Sequence, residues 1–190
     1  MHEKAVITCA LTGVLTDPAV HHVPVTPEEM ADHARQAFDA GASIVHCHFR
    51  NQRKGMGHLP TWELHTVGEI LAAIKDRVPE IIICMSTGVV GPDISGPIAC
   101  LEKFKPEMAA CNAGSLNYLK LRSDASWAWP PTLFDNSVEK VKGFLDVMTA
   151  NDVVPEFECF DSGIVRSVGL YKRNGMFQGN AHISLVMGVA

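Results

Sequence analysis

Short apolar runs alternate with capped amphipathic segments along almost the whole of this chain, and that alternation narrows the fold more than any other feature. The runs read as strands: Lys4 to Leu11, Ser43 to Phe49, Glu80 to Met85, Pro106 to Gly114, Val153 to Phe160 and Ile183 to Met187. Between them lie helix signals. Thr26-Pro27-Glu28-Glu29 supplies a hydroxyl N-cap, a proline in the first turn and a glutamate placed to return the capping bond, so a helix is expected to Ala40, stopped by Gly41. Thr61 is expected to cap a second helix, with Trp62, Val67, Ile70, Leu71 and Ile74 on its apolar face, running to about Asp76. A short helix is expected from Ile98 to Phe104, one opened by Asn136 with Glu139 to about Ala150, and one over roughly Gly163 to Lys172. Leu116 to Phe134 shows little periodicity and reads as a long loop.

Strands alternating with helices make a parallel α/β sheet, and no Gly-x-Gly-x-x-Gly turn follows the first strand. The reading is therefore a (β/α)8 TIM barrel. Such barrels take about 250 residues, and this chain of 190 holds about six βα units. The expectation is a single barrel domain over residues 1–190 that lacks its C-terminal strands.

The strand from Ser43 carries the most chemistry. Side chains alternate across a strand, so His46, His48 and Arg50 share one face while Cys47 and Phe49 take the other. Two imidazoles two residues apart suit Zn²⁺, whose catalytic sites use three protein ligands and keep one position open. In a parallel barrel reactive groups gather at the C-terminal strand ends. Those ends hold His46, His48 and Arg50, then Ser86-Thr87-Gly88, then Asn112 and Ser115, then Glu158. Each has a structural alternative: core imidazoles for the His pair, ion pairs for Glu156 and Glu158, turn hydroxyls for Ser86 and Thr87, and a carboxylate partner for Arg50. His182 precedes the last strand and reads as structural.

Composition excludes whole classes of partner. A net charge of −5, with 16 basic residues scattered and forming no run, argues against nucleic acid and leaves a small molecule. No apolar stretch approaches the roughly 18 residues that a membrane span needs. The six cysteines lie far apart with no C-x-x-C pair, which fits buried thiols in a reducing cytoplasm.

Taken together, Thr26-Pro27-Glu28-Glu29, Ala40-Gly41-Ala42 to His46-x-His48-x-Arg50, Pro79-Glu80 to Ser86-Thr87-Gly88, Lys105-Pro106-Glu107-Met108 to Asn112-Ala113-Gly114, Val154-Pro155-Glu156-x-Glu158 and His182-Ile183 to Met187-Gly188-Val189 resemble the β-keto acid cleavage enzymes. The resemblance covers essentially the whole chain in order. It implies a Zn²⁺-dependent (β/α)8 enzyme that condenses a β-keto acid with acetyl-CoA, releasing acetoacetate and a new CoA thioester. It also implies zinc on His46 and His48, substrate held at Ser86 of the Ser-Thr-Gly turn, Glu158 within the site, and a homotetramer. Zinc as a Lewis acid suits a substrate that can chelate through keto and carboxylate oxygens.

Departures from the family pattern are informative. An acid usual after the first-strand glycine falls at Leu15, and a threonine on the fourth strand falls at Ala110. Both positions are apolar here, which points to a substrate less cationic or more apolar than an amino-keto acid. The family's third zinc ligand, a glutamate, and an aspartate and arginine that serve the cleavage belong to a C-terminal third not found in these residues. Two other readings compete. A zinc amidohydrolase would want the His pair on the first strand and further histidines on the fifth and sixth, and an inactive barrel fragment would serve only as an interaction subunit.

Overall fold

The computed structural model describes residues 4–14 and 16–188. Leu15 and Val189, which figured in the family comparison above, lie outside the described residues. Six parallel strands form one sheet in the order β1 (Thr8–Ala10), β2 (Ile44–Cys47), β3 (Ile82–Met85), β4 (Met108–Asn112), β7 (Val154–Cys159) and β8 (His182–Leu185). A separate antiparallel hairpin, β5 (Leu116–Tyr118) with β6 (Thr132–Phe134), rises between β4 and β7. The helices are α1 (Pro27–Asp39), α2 (Leu64–Arg77), α3 (Ser95–Phe104), α4 (Val138–Ala150) and α5 (Ser162–Asn174). This is the βα alternation expected from sequence, and the sheet is a curled, open barrel wall.

The curl follows from one distance. β2 and β7 are separated by β3 and β4, so a flat sheet would hold them about 14 Å apart, three strand spacings. His46 on β2 nevertheless brings Nδ1 to 4.0 Å from Glu156 Oε2 on β7. Side chains from strands so far apart meet only when the surface between them is concave.

Alternation then sorts every strand residue to one of two cores. Outward-facing Val45, Cys47, Phe49, Ile83, Met85, Ala109, Cys111, Phe157 and Cys159 pack beneath the helices in one large cluster. Inward-facing Ile44, Cys84, Met108 and Ala110, with Ile82 against them, form a smaller plug inside the wall. β2 to β4 are buried or nearly so on both faces, which is why their sequences run almost continuously apolar.

Local signals account for most helix boundaries. At α1 the capping box forms in full: Glu29 N donates to Thr26 Oγ1 at 3.2 Å, and Thr26 N donates to Glu29 Oε2 at 3.0 Å. Two expected caps move. Thr61 accepts from Glu63 N at 3.2 Å in a tight local turn, so α2 starts at Leu64 with Glu63 at the N-cap position, its carboxylate making no capping bond and accepting instead from Thr66 Oγ1 at 3.2 Å, and Trp62 precedes the helix. Ser137, not Asn136, caps α4 by accepting from Lys140 N, while buried Asn136 donates to the Gly114 carbonyl.

The stretch Leu116 to Phe134, expected to be a loop, is the hairpin. Its strands are only three residues each, too short to register as a period, and they are held by Tyr118 stacked on Trp129 with ring centroids 5.5 Å apart. The six cysteines are all free and all but Cys9 are buried. Among the described residues no helix is long and apolar enough to cross a membrane.

Phe157 anchors the helix-side core, fully buried with its ring 4.6 Å from that of Phe177. Phe157→Ala is expected to destabilise the chain by about 3–5 kcal/mol, because the cavity it leaves lies between sheet and C-terminal helix and cannot collapse. Urea denaturation measures this, and a loss below about 1 kcal/mol would mean that the site repacks.

Candidate functional site

The C-terminal ends of β2, β3, β4 and β7 open onto one cavity of about 330 Å³. His48, Ser86, Gly88, Asn112 and Glu158 line its floor, brought from four strands to one place. Parallel pairing causes the convergence: Asn112 sits in register with Glu158, and Ser86 N donates to the Cys47 carbonyl one residue before His48. The upper wall is apolar and comes from Val14, Val89, Val90, Tyr118, Leu133, Phe134 and Phe160.

His48 follows directly on the end of β2, with its ring centroid 4.8 Å from that of His46. Its Nδ1 is buried and has no hydrogen-bond partner among the described residues. Such an orphaned nitrogen is costly unless something binds it. Burial pushes the His46 imidazole down to about 4, and burial, with help from His46 and the Arg50 charge, pushes His48 down to about 3. Both rings are therefore neutral near pH 7, the form in which imidazole is a metal ligand.

Glu158 differs from an ordinary surface carboxylate. Burial, reinforced by the neighbouring Glu156 charge, pushes it up to about 7. A carboxyl tuned to that range can carry a proton in either direction.

The remaining sequence candidates divide. Ser86 is buried at the cavity floor, and Gly88 leaves the space where a Cβ would stand 3.6 Å from Asn112 Nδ2 and 3.9 Å from Ser86 Oγ. Thr87 turns away from the cavity and donates its hydroxyl to the Ala110 carbonyl at 2.6 Å, tying β3 to β4. Among the described residues Arg50 has no carboxylate partner at ion-pair distance. Its guanidinium donates to the Gly13 carbonyl and to the His58 carbonyl at 3.0 Å, bracing the loops after β1 and β2 behind His48. Ser115 bonds Asp135 and accepts from Asn136 N at the base of the hairpin.

Three groups escaped the sequence reading. Glu156, read there as a structural ion-pair partner, lies one layer below Glu158 and faces His46 and Cys84; Cys84 Sγ donates to Glu156 Oε2 at 3.4 Å. One ligand atom from each of His46, Cys84 and Glu156 lies within 4.8 Å of the others, so this trio also could hold a metal ion. Inward placement of Glu156 was legible from its spacing to Glu158, but its partners on β2 and β3 were not.

Lys140 is the third. Buried on α4, its ammonium donates to the carbonyls of Val89 (3.4 Å), Gly91 (2.9 Å) and Asp135 (2.8 Å). It thereby joins the loop after β3 to the foot of the hairpin, fixing two walls of the cavity to each other. Nothing in its own helix signals this, since its position reads as an ordinary first-turn residue.

Lys140→Met is expected to cost about 1–3 kcal/mol by leaving these carbonyls unpaired, and to speed amide exchange around Val89 to Gly91. Exchange at unchanged rates would show that the loop holds itself. For the metal-free protein, Glu158 makes a second expectation. Its carboxyl is raised from 4.5 to about 7 on folding, so its contribution to stability is complete below 4.5 and is lost as pH rises through 7. Glu158→Gln should remove that part of the slope, as the difference between two urea-denaturation series across this pH range measures. Parallel pH–stability curves for the two proteins would contradict the buried environment.

Comparisons with known proteins bear on the family and the fold. A family described as beta-keto acid cleavage enzyme matches residues 4–190. A 3-keto-5-aminohexanoate cleavage enzyme of Fusobacterium nucleatum is 32% identical over 196 aligned residues, covering 100% of this chain and 65% of that protein. A 3-oxoadipate:acetyl-CoA acetyltransferase of Cupriavidus necator is 30% identical, covering 100% of this chain and 61% of that protein. The chain thus spans somewhat under two thirds of the length of these relatives. Among solved structures, the apo form of ObcA superposes with a TM-score of 0.68 at 23% identity, over 88% of this chain and 36% of that one, a likeness of fold. With the family match running over residues 4–190, the chain belongs to the β-keto acid cleavage enzyme family.

Proposed function

We propose that this chain carries the zinc and keto-acid half of an enzyme that transfers the acyl group of a β-keto acid to CoA at the expense of acetyl-CoA. In that exchange the bond between the keto carbon and the neighbouring methylene breaks, the acetyl group of the thioester joins the methylene to give acetoacetate, and the freed acyl group leaves on sulfur. Atoms balance with no further reactant. The observation that carries the reading is the orphaned, buried Nδ1 of His48 beside a neutral His46, on a floor completed by Ser86, Asn112 and Glu158.

His46 and His48 would hold Zn²⁺ at this floor. Zinc there supplies a Lewis acid for the keto and carboxylate oxygens of the substrate. Ser86 and the Asn112 amide are placed to hydrogen-bond the same head group, and Gly88 leaves the room it needs. Glu158 holds or releases a proton at its carboxylate. Arg50 stands behind His48, where its charge helps keep the imidazole unprotonated and its bonds hold the rim of the cavity. Thr87 serves by fixing the strand end that presents Ser86 and Gly88.

The tail of the substrate would meet the apolar wall. Tyr118, Leu133, Phe134 and Phe160 line it, and among the described residues no lysine or arginine does. Asp135 is the acid at the rim, and its Oδ1 is engaged by Ser115. Ala110, the position that departs from the family pattern, lies fully buried on β4 one inward step below Asn112 and offers no polar atom of its side chain. We therefore assign the chain a keto acid with an uncharged or apolar tail. The two relatives above are named for 3-keto-5-aminohexanoate and 3-oxoadipate, which differ in their tails, so the wall is the place where such preferences would differ.

Zinc is expected at about one per chain, with loss of most of it in His46→Ala and in His48→Ala. Acetoacetate release from acetyl-CoA should depend on an added β-keto acid and fall at least tenfold in either variant. A chain that binds no zinc and releases no acetoacetate would support the inactive-fragment reading. Strong preference for amino-keto acids across a substrate panel would overturn the assignment of the tail alone.

A further inference from the structure

We propose that Glu156 is a positioning residue for His46: its carboxylate, steadied by the Cys84 thiol, holds the proton of the imidazole on Nδ1 and so presents Nε2 to a divalent cation. The proposal rests on the reading of His46 as a metal ligand, and it assigns a role to two side chains that the reaction itself does not use.

The geometry is specific. Glu156 enters the barrel wall from β7 and His46 from β2, and they face each other at 4.0 Å, Nδ1 to Oε2. The same Oε2 accepts the Cys84 thiol from β3 at 3.4 Å. Among the described residues no lysine or arginine pairs with Glu156, although its side chain is only 16% exposed. Register places it beside Ala110, in the plug that Ile44, Cys84, Met108 and Ala110 otherwise fill with apolar atoms. A carboxylate so placed needs donors. The thiol is one, and the His46 Nδ1–H can be another; His182 stands in register with Glu156 on the neighbouring β8.

A neutral imidazole carries one proton on its two nitrogens, and the partner of one nitrogen decides which remains free to bind. With the proton held toward Glu156, the lone pair is on Nε2. A gap of 4.0 Å is too long for a formed hydrogen bond. The bond therefore requires the ring to move toward Oε2, and a metal bound at Nε2 would hold the ring from the other side. Carboxylate–histidine–metal relays of this kind are worth about 10–100-fold in metal affinity.

The competing use of the same atoms is direct ligation. His46, Cys84 and Glu156 have donor atoms within 4.8 Å of one another, and an ion could draw them together with loss of the thiol proton to solvent. Against this, the Cys84 thiol already donates to the Glu156 carboxylate, and the buried unpaired side-chain nitrogens among the described residues are His48 Nδ1, Arg50 Nε and Trp129 Nε1, of which only the His48 atom can ligate a metal and none belongs to the trio.

Two measurements on the whole chain decide. In metal-free protein, ¹⁵N spectra should show His46 in the Nδ1–H tautomer, shifting toward Nε2–H in Glu156→Ala and less so in Glu156→Gln. This readout needs neither zinc nor activity, so it stands even if zinc binding fails. Zinc affinity, by competition with a chelator, should fall about 10–100-fold in Glu156→Ala, with urea stability of the metal-free variant retained and a smaller effect in Cys84→Ala. An Nε2–H tautomer in the wild type, or one unmoved by Glu156→Ala, overturns the proposal. So does a thiolate-to-metal charge-transfer band in the Co²⁺-loaded chain that vanishes in Cys84→Ala, which would make the trio itself the ligand set. Zinc affinity untouched by His48→Ala and by His46→Ala would instead count against the zinc reading of the mouth, leaving the tautomer result to decide the role of Glu156.

Discussion

Concavity of the parallel sheet is the condition on which everything else here depends. A strand delivers its side chains alternately to two faces, and on a flat sheet the inward groups of β2 and β7 would stay some three strand spacings apart. Because the wall curls, the inward face becomes a shared interior, and polar groups that are far apart along the chain meet: His46 with Glu156, Cys84 with Glu156, and Asn112 beside Glu158. The helices enforce the curl from outside by burying the other face in a single apolar cluster. The chemistry and the hydrophobic packing are thus two sides of the same strands.

Layers within that interior have different tasks. The lowest is apolar, with Ile44, Ile82 and Met108 excluding water. Above it lies the His46, Cys84 and Glu156 layer, where each polar group answers another. Higher still, His48, Ser86, Gly88, Asn112 and Glu158 face the cavity and keep polar capacity unspent. Throughout this interior an unpaired polar group is costly. The orphaned His48 nitrogen stands out on that ground, whereas the equally polar Thr87 is paired and turned toward the backbone.

How much of this was legible in the sequence follows from the range of the interactions. Period-two alternation placed His46 and His48 together and Cys47 and Phe49 opposite them, because that rule involves only neighbours. The capping box at Thr26 was legible for the same reason. Thr61 and Asn136 offered equally good local caps and neither serves: Thr61 accepts from Glu63 N in a local turn, Asn136 is drawn to the Gly114 carbonyl, and Ser137 beside it takes over the cap. The hairpin between Leu116 and Phe134 was illegible because three-residue strands carry no period and its cohesion comes from rings meeting across the turn, Tyr118 on Trp129 and Phe134 against Phe160. Arg50 was read correctly as lying on the histidine face. Its carbonyl partners come from loops whose course no local signal specifies.

The contact between Cys84 and Glu156 joins residues 72 positions apart, and that between His46 and Glu156 bridges a still longer stretch. Closing such loops costs entropy that local structure does not repay. Helices and adjacent strand pairs can therefore form while the inner layer is still open, and the histidine, thiol and carboxylate come together only when the fifth strand of the wall has docked. The innermost polar layer is in this sense a clasp fastened late in assembly. A partly folded chain would hold most of its secondary structure and none of its chemistry.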